Sequence, residues 1–496
     1  MPAETTASPH TTDTAEGSTH GGATASQVTA AEAVARVNEL PPLHRAAPLA
    51  VQHLLAMFVG NAAPPLIVAT AIGMTTGETT LLVQLAMIVS GVTTLLQTLG
   101  LGPVGSRLPV MQGTSFAFLA VAIPIAQEFG IAAVFGGAFV AGFVQVIFGG
   151  ALHWISRLFP PLVCGIIILI IGIKLMPTAI DYAAGGAPAQ SAGDYGALFH
   201  FGIAALVVVV TVLCNQFGKG FLSVASVLIG LLTGYAVAAA FGMVSLAAVA
   251  EADWFFAPTP LHFGMDFTGA AIIAITVIAL ASSMESIGDL TAVSRTAVGA
   301  SPTSRQLSGG VMADGVGTSL GALFGAMPNT TFSQNTGVVV LSGVVSRFVV
   351  AMAGGMLLLA GFVPKFAAFF STIPYAVLGG AVLVMFSMVA SAGIQVVSSQ
   401  VLDRRAMLIV AVSLGLGIGF SFASEEVTAA FHPDIALLLT SGIVPAMLAA
   451  VLLNAVLPTT PKVAEVGAEM PGTAGPTTDV APALGAETLA EKEAER

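Results

Sequence analysis

Two neighbouring amides, Gln334 and Asn335, stand in the stretch Pro328-Asn329-Thr330-Thr331-Phe332-Ser333-Gln334-Asn335-Thr336-Gly337. A primary amide presents a donor and an acceptor in one plane. That pattern matches the edge of a flat, amide-containing heterocycle. Phe116, in a second polar stretch, could stack on such a ring. Four ionisable groups fall well inside apolar tracts: His53, Glu285, Asp289 and Asp314. A charge at the bilayer centre costs about 2.5–3.5 kcal/mol on insertion scales, and no Lys or Arg sits at mid-span as a partner. Glu285 and Asp289 are i and i+4, so on a helix they share a face. Ser282, Ser283 and Gly288 keep that helix small and open to close packing. Such a carboxyl pair can hold and release a coupling proton, and each proton moved down 100 mV supplies about 2.3 kcal/mol. The plainer reading is a buried polar network that ties helices together, with His53 inside it and Phe116 as core. The residues alone leave both open.

The elements that must position these groups are membrane spans. Of 496 residues, 56% are hydrophobic and 8% charged, against about 25% charged in soluble domains. Lys and Arg total only 15, without a basic stripe, so no nucleic-acid partner is expected. The net charge of −11 gathers largely in the tails and loops. Cys164 and Cys214 lie in apolar runs and read as small fillers rather than a disulfide framework or metal site. No nucleophile–base arrangement or metal-ligand spacing stands in the spans, so neither an enzyme nor a bound cofactor is expected.

A span takes about 20 apolar residues. This places segments at 47–72, 80–101, 108–127, 130–150, 160–179, 199–217, 220–246, 268–291, 307–326, 330–345, 347–364, 372–395, 405–423 and 434–457. With both termini cytoplasmic, the inner loops hold Arg107, Arg157, Lys219, Arg295, Arg305, Arg347, Arg404 and Arg405. The outer loops and span ends hold only Lys174 and Lys365. That is a positive-inside bias, and it supports fourteen crossings. The expected architecture is an all-α polytopic membrane protein in four parts. Residues 1–45 form a disordered cytoplasmic tail, 46–246 a first repeat of seven spans, 247–457 a second, and 458–496 another disordered tail. The scarcely basic leader does not resemble a cleavable signal peptide.

The third segment of each half is interrupted alike. One reads Leu108-Pro109-Val110-Met111-Gln112-Gly113-Thr114-Ser115-Phe116, the other Met327-Pro328-Asn329-Thr330-Thr331-Phe332-Ser333. Lipid offers no partner for backbone groups, so irregular backbone survives at depth only where protein buries it or it lines a cavity. An odd number of spans per half gives the halves opposite topology, the inverted-repeat plan in which paired broken segments point to the binding site. Each broken segment is expected to contain a short strand and a half-helix, the strands pairing across the repeat.

Gln334-Asn335-Thr336-Gly337, followed by Ser342-Gly343-Val344-Val345-Ser346-Arg347, resembles the signature of the nucleobase–ascorbate transporters, also called xanthine/uracil permeases. Gln52-His53, Gly113-Thr114-Ser115-Phe116, Glu285-Ser286-Ile287-Gly288-Asp289 and Ala313-Asp314-Gly315 are similar to further motifs of that family, across residues 46–457. Ser342 departs from the usual Thr but keeps a hydroxyl. The resemblance implies a core of spans one to four and eight to eleven, a gate of spans five to seven and twelve to fourteen, a homodimer, and an elevator-like slide of core against gate. It implies that Glu285 and Gln334 hydrogen-bond the base, that Phe116 stacks on it, and that Ser115, Phe332 and Ser333 complete the contacts. Asp289, Asp314, Asn335 and His53 would support proton coupling and site geometry. Gln at position 334 goes with xanthine or uric acid in the family, and Glu there with uracil. The implied function is import of an oxidised purine with protons, sodium being the less expected ion, across the inner (plasma) membrane. The alternatives are a uracil symporter or, further off, an inorganic-anion transporter of the same plan.

Overall fold

Apolar runs that meet lipid can satisfy their backbone internally only by coiling, and the chain is mostly helical. The computed structural model describes residues 35–155, 160–332, 335, 337–339 and 343–458. The main elements, in chain order, begin with α1 (Leu43–Ala71), α2 (Thr76–Leu99), strand β1 (Gln112–Thr114), α3 (Leu119–Phe129) and α4 (Ile131–Gly150). Next come α5 (Pro161–Ala183), α6 (Leu198–Phe217), α7 (Ser226–Ala240), α8 (Gly269–Val298) and α9 (Ser304–Phe324). Strand β2 (Asn329–Thr331), α10 (Arg347–Gly361), α11 (Pro364–Ser371), α12 (Tyr375–Ser398), α13 (Arg404–Ser421), α14 (Pro433–Thr440) and α15 (Ile443–Val456) complete the order. Among the described residues, eight helices are long and apolar enough to cross a membrane, or nine if α10 and α11, bent by 81°, count as one span.

Local signals fix several helix starts. Thr75 and Glu78 form a capping box at α2: Glu78 N donates to Thr75 Oγ1 at 3.3 Å and Thr75 N to Glu78 Oε2 at 2.9 Å. Thr303 and Gln306 repeat the device at α9. Each box satisfies orphan N–H groups of a first turn.

Packing joins α5 to α12, α2 to α10, α4 to α9, α1 to α10, α4 to α8, α6 to α7 and α13 to α15. Close approach along these pairs uses small residues. A Cβ built on Gly91 of α2 would lie 2.6 Å from Leu358 N and 2.7 Å from Gly354 O of α10.

Several expected segments differ in detail. The expected crossing at 434–457 is two helices, interrupted at Ser441 and Gly442, where Gly442 takes φ 73°. The expected 220–246 crossing has its main helix only over Ser226–Ala240. Lys174, expected at a span end, lies inside α5, because that helix runs on to Ala183. Its Nζ donates to the Thr440 carbonyl at 2.9 Å. That carbonyl is available because α14 stops there. The tail expected to be disordered through residue 45 is ordered from residue 35. Val37 packs with Ala297 and Val339, and Ser346 Oγ donates to the Glu39 carbonyl at 2.6 Å. Residues 1–34 and 459–496 of the expected tails lie outside the described residues.

Gly91→Leu should abolish folded protein, since backbone on α10 cannot yield to it and overpacking alone costs ~1–3 kcal/mol. Gly415→Ala, with nothing within 4 Å of the new methyl, should leave it unchanged. Size-exclusion profiles of detergent-extracted variants give the comparison; a monodisperse Gly91→Leu peak at wild-type yield would refute the packing.

Candidate functional site

β1 and β2 pair antiparallel, with Gln112 opposite Thr331, Gly113 opposite Thr330 and Thr114 opposite Asn329. Backbone bonds extend the ladder at both ends: Ser115 N to Pro328 O at 3.0 Å and Phe332 N to Met111 O at 3.1 Å. Each interrupted segment thus supplies the hydrogen bonds that lipid cannot. After β1 the chain turns through a short 3₁₀ helix, Phe116–Phe118, whose first N–H groups Ser115 caps, and continues as α3. After β2, Asn335 and 337–339 are helical. The expected strand pair is therefore present, and it brings the two interrupted segments together.

Side chains of the flanking helices lock this crossing. Asp314, on α9, is fully buried. Its Oδ1 accepts from Gln112 Nε2 at 2.6 Å and from Thr331 Oγ1 at 3.2 Å, one residue from each strand. Its Oδ2 accepts a short bond from Ser286 Oγ on α8. Ser282 and Ser286 also meet Thr330 Oγ1, at 2.8 and 3.2 Å. One carboxylate therefore ties β1, β2, α8 and α9 together. On the other side, Asn61 of α1 holds Thr114. Its Oδ1 accepts from Thr114 N at 2.8 Å and from Ser90 Oγ at 2.7 Å, and its carbonyl accepts from Thr114 Oγ1 at 2.5 Å. Pro65, four residues on, has no N–H to offer the Asn61 carbonyl. The Thr114 hydroxyl fills that gap.

His53 and Asn335 form a second contact between α1 and the second interrupted segment. His53 Nδ1 lies 2.8 Å from Asn335 Oδ1, and Asn335 Nδ2 donates to the Pro109 carbonyl at 2.6 Å. Both side chains are buried, at 1% and 2% exposure, and His53 Nε2 has no partner among the described residues.

Glu285 is half-buried on α8, one residue before Ser286. The charge that acts on it is that of Asp314. Asp314 is thus a carboxyl near Glu285 that the i, i+4 spacing did not reveal: β2 and α9 pack against α8, where Ser282 and Ser286 meet Thr330 and Ser286 meets Asp314. Asp289, half-buried, stands one turn further along α8. Phe116 is buried, and its ring meets Phe386 of α12 edge to face at 5.5 Å between centroids. Phe332 lies against Gly60 and Gly113; a Cβ on either glycine would strike its ring. Ser333 and Gln334 lie outside the described residues.

The structure thus brings Phe116, Ser115, Phe332, Glu285, Asp314, Asn335 and His53 to the crossing of the two segments. It adds Asn61 and Phe386, which the sequence reading passed over, and Gln112, Thr114, Ser286 and Thr331, which it quoted in motifs without a role. Asn61 and Gln112 did carry a signal: an amide within an apolar tract must be paired. Phe386 carried none, being one aromatic residue among many in the spans. Among the described residues no group of His, Cys, Asp and Glu is placed to hold a metal ion.

Comparison with known proteins matches residues 44–426 to a family of xanthine/uracil permeases described as "Permease family". The chain is 37% identical over 434 residues to the xanthine permease XanQ of Escherichia coli (strain K12), covering 85% of this chain and 93% of that one. It is 35% identical over 443 residues to the xanthine permease XanP of the same organism, covering 86% and 95%. It is 37% identical over 410 residues to the uric acid permease PucJ of Bacillus subtilis (strain 168), covering 82% and 91%. Among solved structures it is similar to the transmembrane domain of the cyanobacterial bicarbonate transporter BicA, with a TM-score of 0.53, 15% identity, and coverage of 84% of this chain and 100% of that one. At that identity the likeness concerns the fold alone. With the signature around Gln334 and Asn335 and a family match spanning most of its length, this chain belongs to the xanthine/uracil permease family of membrane transporters.

Proposed function

We propose that the protein is a secondary active symporter that imports an oxidised purine, xanthine or uric acid, together with protons. The observation that carries this reading is the crossing of the two interrupted segments, with Glu285 beside it and Asp314 locked beneath it. Glu285 makes no hydrogen bond among the described residues, so its carboxyl is available to accept the N–H groups of a purine. Gln334 would read the base edge, Phe116 and Phe332 would cover its faces, and Ser115 and Ser333 would complete the contacts. Asp289, Asp314, Asn335 and His53 would hold the geometry and share the coupling proton. The relatives named xanthine and uric acid permeases favour the purine over uracil. An inorganic-anion site would call for a basic or neutral group at the half-helix N-termini; the crossing instead holds Asp314 bonded to the strands, with Glu285 near it.

The fourteen-segment, seven-plus-seven plan draws support from the packing. Moving seven segments along the chain turns the α2–α10 pair into α4–α9, α1–α10 into α4–α8 and α6–α7 into α13–α15; α5–α12 and β1–β2 map onto themselves. Extensive packing lies within the expected core (spans one to four and eight to eleven) and within the expected gate, with thinner contact between them. Thin contact suits an elevator-type slide. Phe116 against Phe386 is one of the contacts such a slide would break. Both termini would face the cytoplasm, and the protein would sit in the cell membrane as a homodimer.

Cells without purine carriers of their own, given this chain, should accumulate radiolabelled xanthine or uric acid against a gradient. A protonophore should abolish the accumulation. Sodium-dependent uptake that resists the protonophore would replace the proton in this reading, and equilibrating uptake would end the symporter reading.

Glu285→Gln and Gln334→Glu should each lower uptake efficiency about 10- to 100-fold, the cost of ~1.5–3 kcal/mol for a bond to a charged partner. Membrane levels should stay at wild type. Full uptake by Glu285→Gln would demote that residue to scaffold.

A further inference from the structure

A second polar site lies away from the crossing, where the ends of several helices converge. A cavity of about 500 Å³ is lined by Arg107, Arg305 and Arg347, with Ser106, Ser301 and Asn38 among its other walls. Three guanidinium groups around one space carry fifteen N–H donors at five each. Few are used. Arg305 Nη2 donates to the Gly102 carbonyl at 2.9 Å. Arg347 Nη1 donates to the Thr98 and Leu99 carbonyls at 3.1 and 3.3 Å, at the last turn of α2. Arg347 Nε is buried and has no partner among the described residues. Arg107 and Arg347 are close enough to repel each other. Among the described residues no carboxylate pairs with any of the three; the one ion pair found is His200 with Asp194. Glu39 gives its backbone carbonyl to Ser346, and its side chain is exposed.

Backbone geometry adds to this excess of positive charge. The N-terminus of α9, capped at Thr303, opens onto the cavity, and helix N-termini favour anions. Arg347 begins α10, where a basic side chain meets the positive end of a helix. Arg107 takes φ 59°, a left-handed conformation uncommon for a residue with a side chain. Sealing the end of α2 explains the two Arg347 bonds. It does not explain the concentration of three cations, two of them mutually repelling, around one cavity.

We propose that this cavity binds a phosphate-bearing anion, supplied either by a lipid head group or by a soluble phosphate compound. The guanidinium fork matches phosphate oxygens bidentately, and a volume of about 500 Å³ suits a head group or small organic phosphate better than a bare halide. All the lining residues belong to elements before α4 or between α8 and α10, so the bound anion would tie those elements together.

The full-length protein in neutral detergent, melted in phosphate and in chloride at equal ionic strength, tests the soluble source. Nanodiscs of phosphatidylcholine with and without phosphatidylglycerol test the lipid source. Ligand that binds only the folded state should raise the melting temperature by on the order of 2–4 °C. Arg107→Gln, which removes no hydrogen bond made within the described structure, should lose at least half of that shift, and Arg107→Lys should keep part of it. Arg305→Gln serves as the second variant, with the same loss expected. Arg404→Gln, a basic residue at the start of α13 that does not line the cavity, should keep the whole shift. A shift with phosphate assigns the soluble source, and a shift with phosphatidylglycerol alone assigns the lipid. No shift in either arm, an undiminished shift in Arg107→Gln, or an equal loss in Arg404→Gln would overturn the site.

Discussion

The whole arrangement depends on one constraint: a backbone that leaves the helix inside a membrane must find its hydrogen bonds in protein. Two segments of this chain leave the helix, at Gln112–Thr114 and Asn329–Thr331, and each is the other's solution. Neither segment could stand alone in lipid, where an unpaired N–H or C=O costs several kcal/mol. Together they build five rungs counting the flanking bonds from Ser115 and Phe332. A short antiparallel ladder of this kind is rigid. It fixes where the polypeptide can present polar atoms without exposing them to acyl chains.

That solution brings costs of its own, which the neighbouring helices absorb. Pro64 and Pro65 withhold two N–H donors from α1, and Thr114 supplies the missing bond to Asn61. The hydroxyls of Thr330 and Thr331 meet Ser282, Ser286 and Asp314 rather than hydrocarbon. Nearly every polar atom at the crossing is matched by one on a different element, so few of these residues can change alone. Gln112 Oε1, Asn61 Nδ2 and His53 Nε2 are the buried atoms there left without partners. All three sit beside the interrupted segments, where irregular backbone already demands polar surroundings.

Much of this was legible in the sequence because it follows from cost. Two Pro-containing polar stretches in matching places of an apolar chain cannot be ordinary helix, and pairing was the economical way to satisfy them. Buried carboxyls announce themselves for the same reason. What the sequence could not reveal was which helix faces meet. The i, i+4 spacing suggested Glu285 with Asp289. Tertiary packing also brings α9 and β2 to α8 and sets Asp314 by Glu285. Phe386 was illegible because one aromatic in an apolar helix resembles any other until its neighbour is known. The interruption of the last span and the 81° bend between α10 and α11 follow Gly442 and the Phe362–Pro364 step. Hydropathy averages over such breaks.

The two carboxyls at the crossing are not equivalent, and the difference bears on how a proton could be coupled. Asp314 already accepts from Gln112, Thr331 and Ser286. Adding a proton to it would turn an acceptor into a donor, and the Ser286 hydroxyl could take that bond only by turning its own donation toward Thr330. Glu285 has no such obligations among the described residues. It can change protonation without breaking a bond described here, and it is only half-buried. In the proposed cycle Glu285 is therefore the group that meets base and proton. Asp314 is the buried neighbour with which it would share that proton, and the bonds of Asp314 to both strands and α8 would carry the exchange into the scaffold. Because Asp314 is also the latch on both strands, any event that moved the latch would be felt at Glu285 as a change in charge environment. In the proposed cycle substrate, proton and backbone would thereby be linked through one fully buried carboxyl.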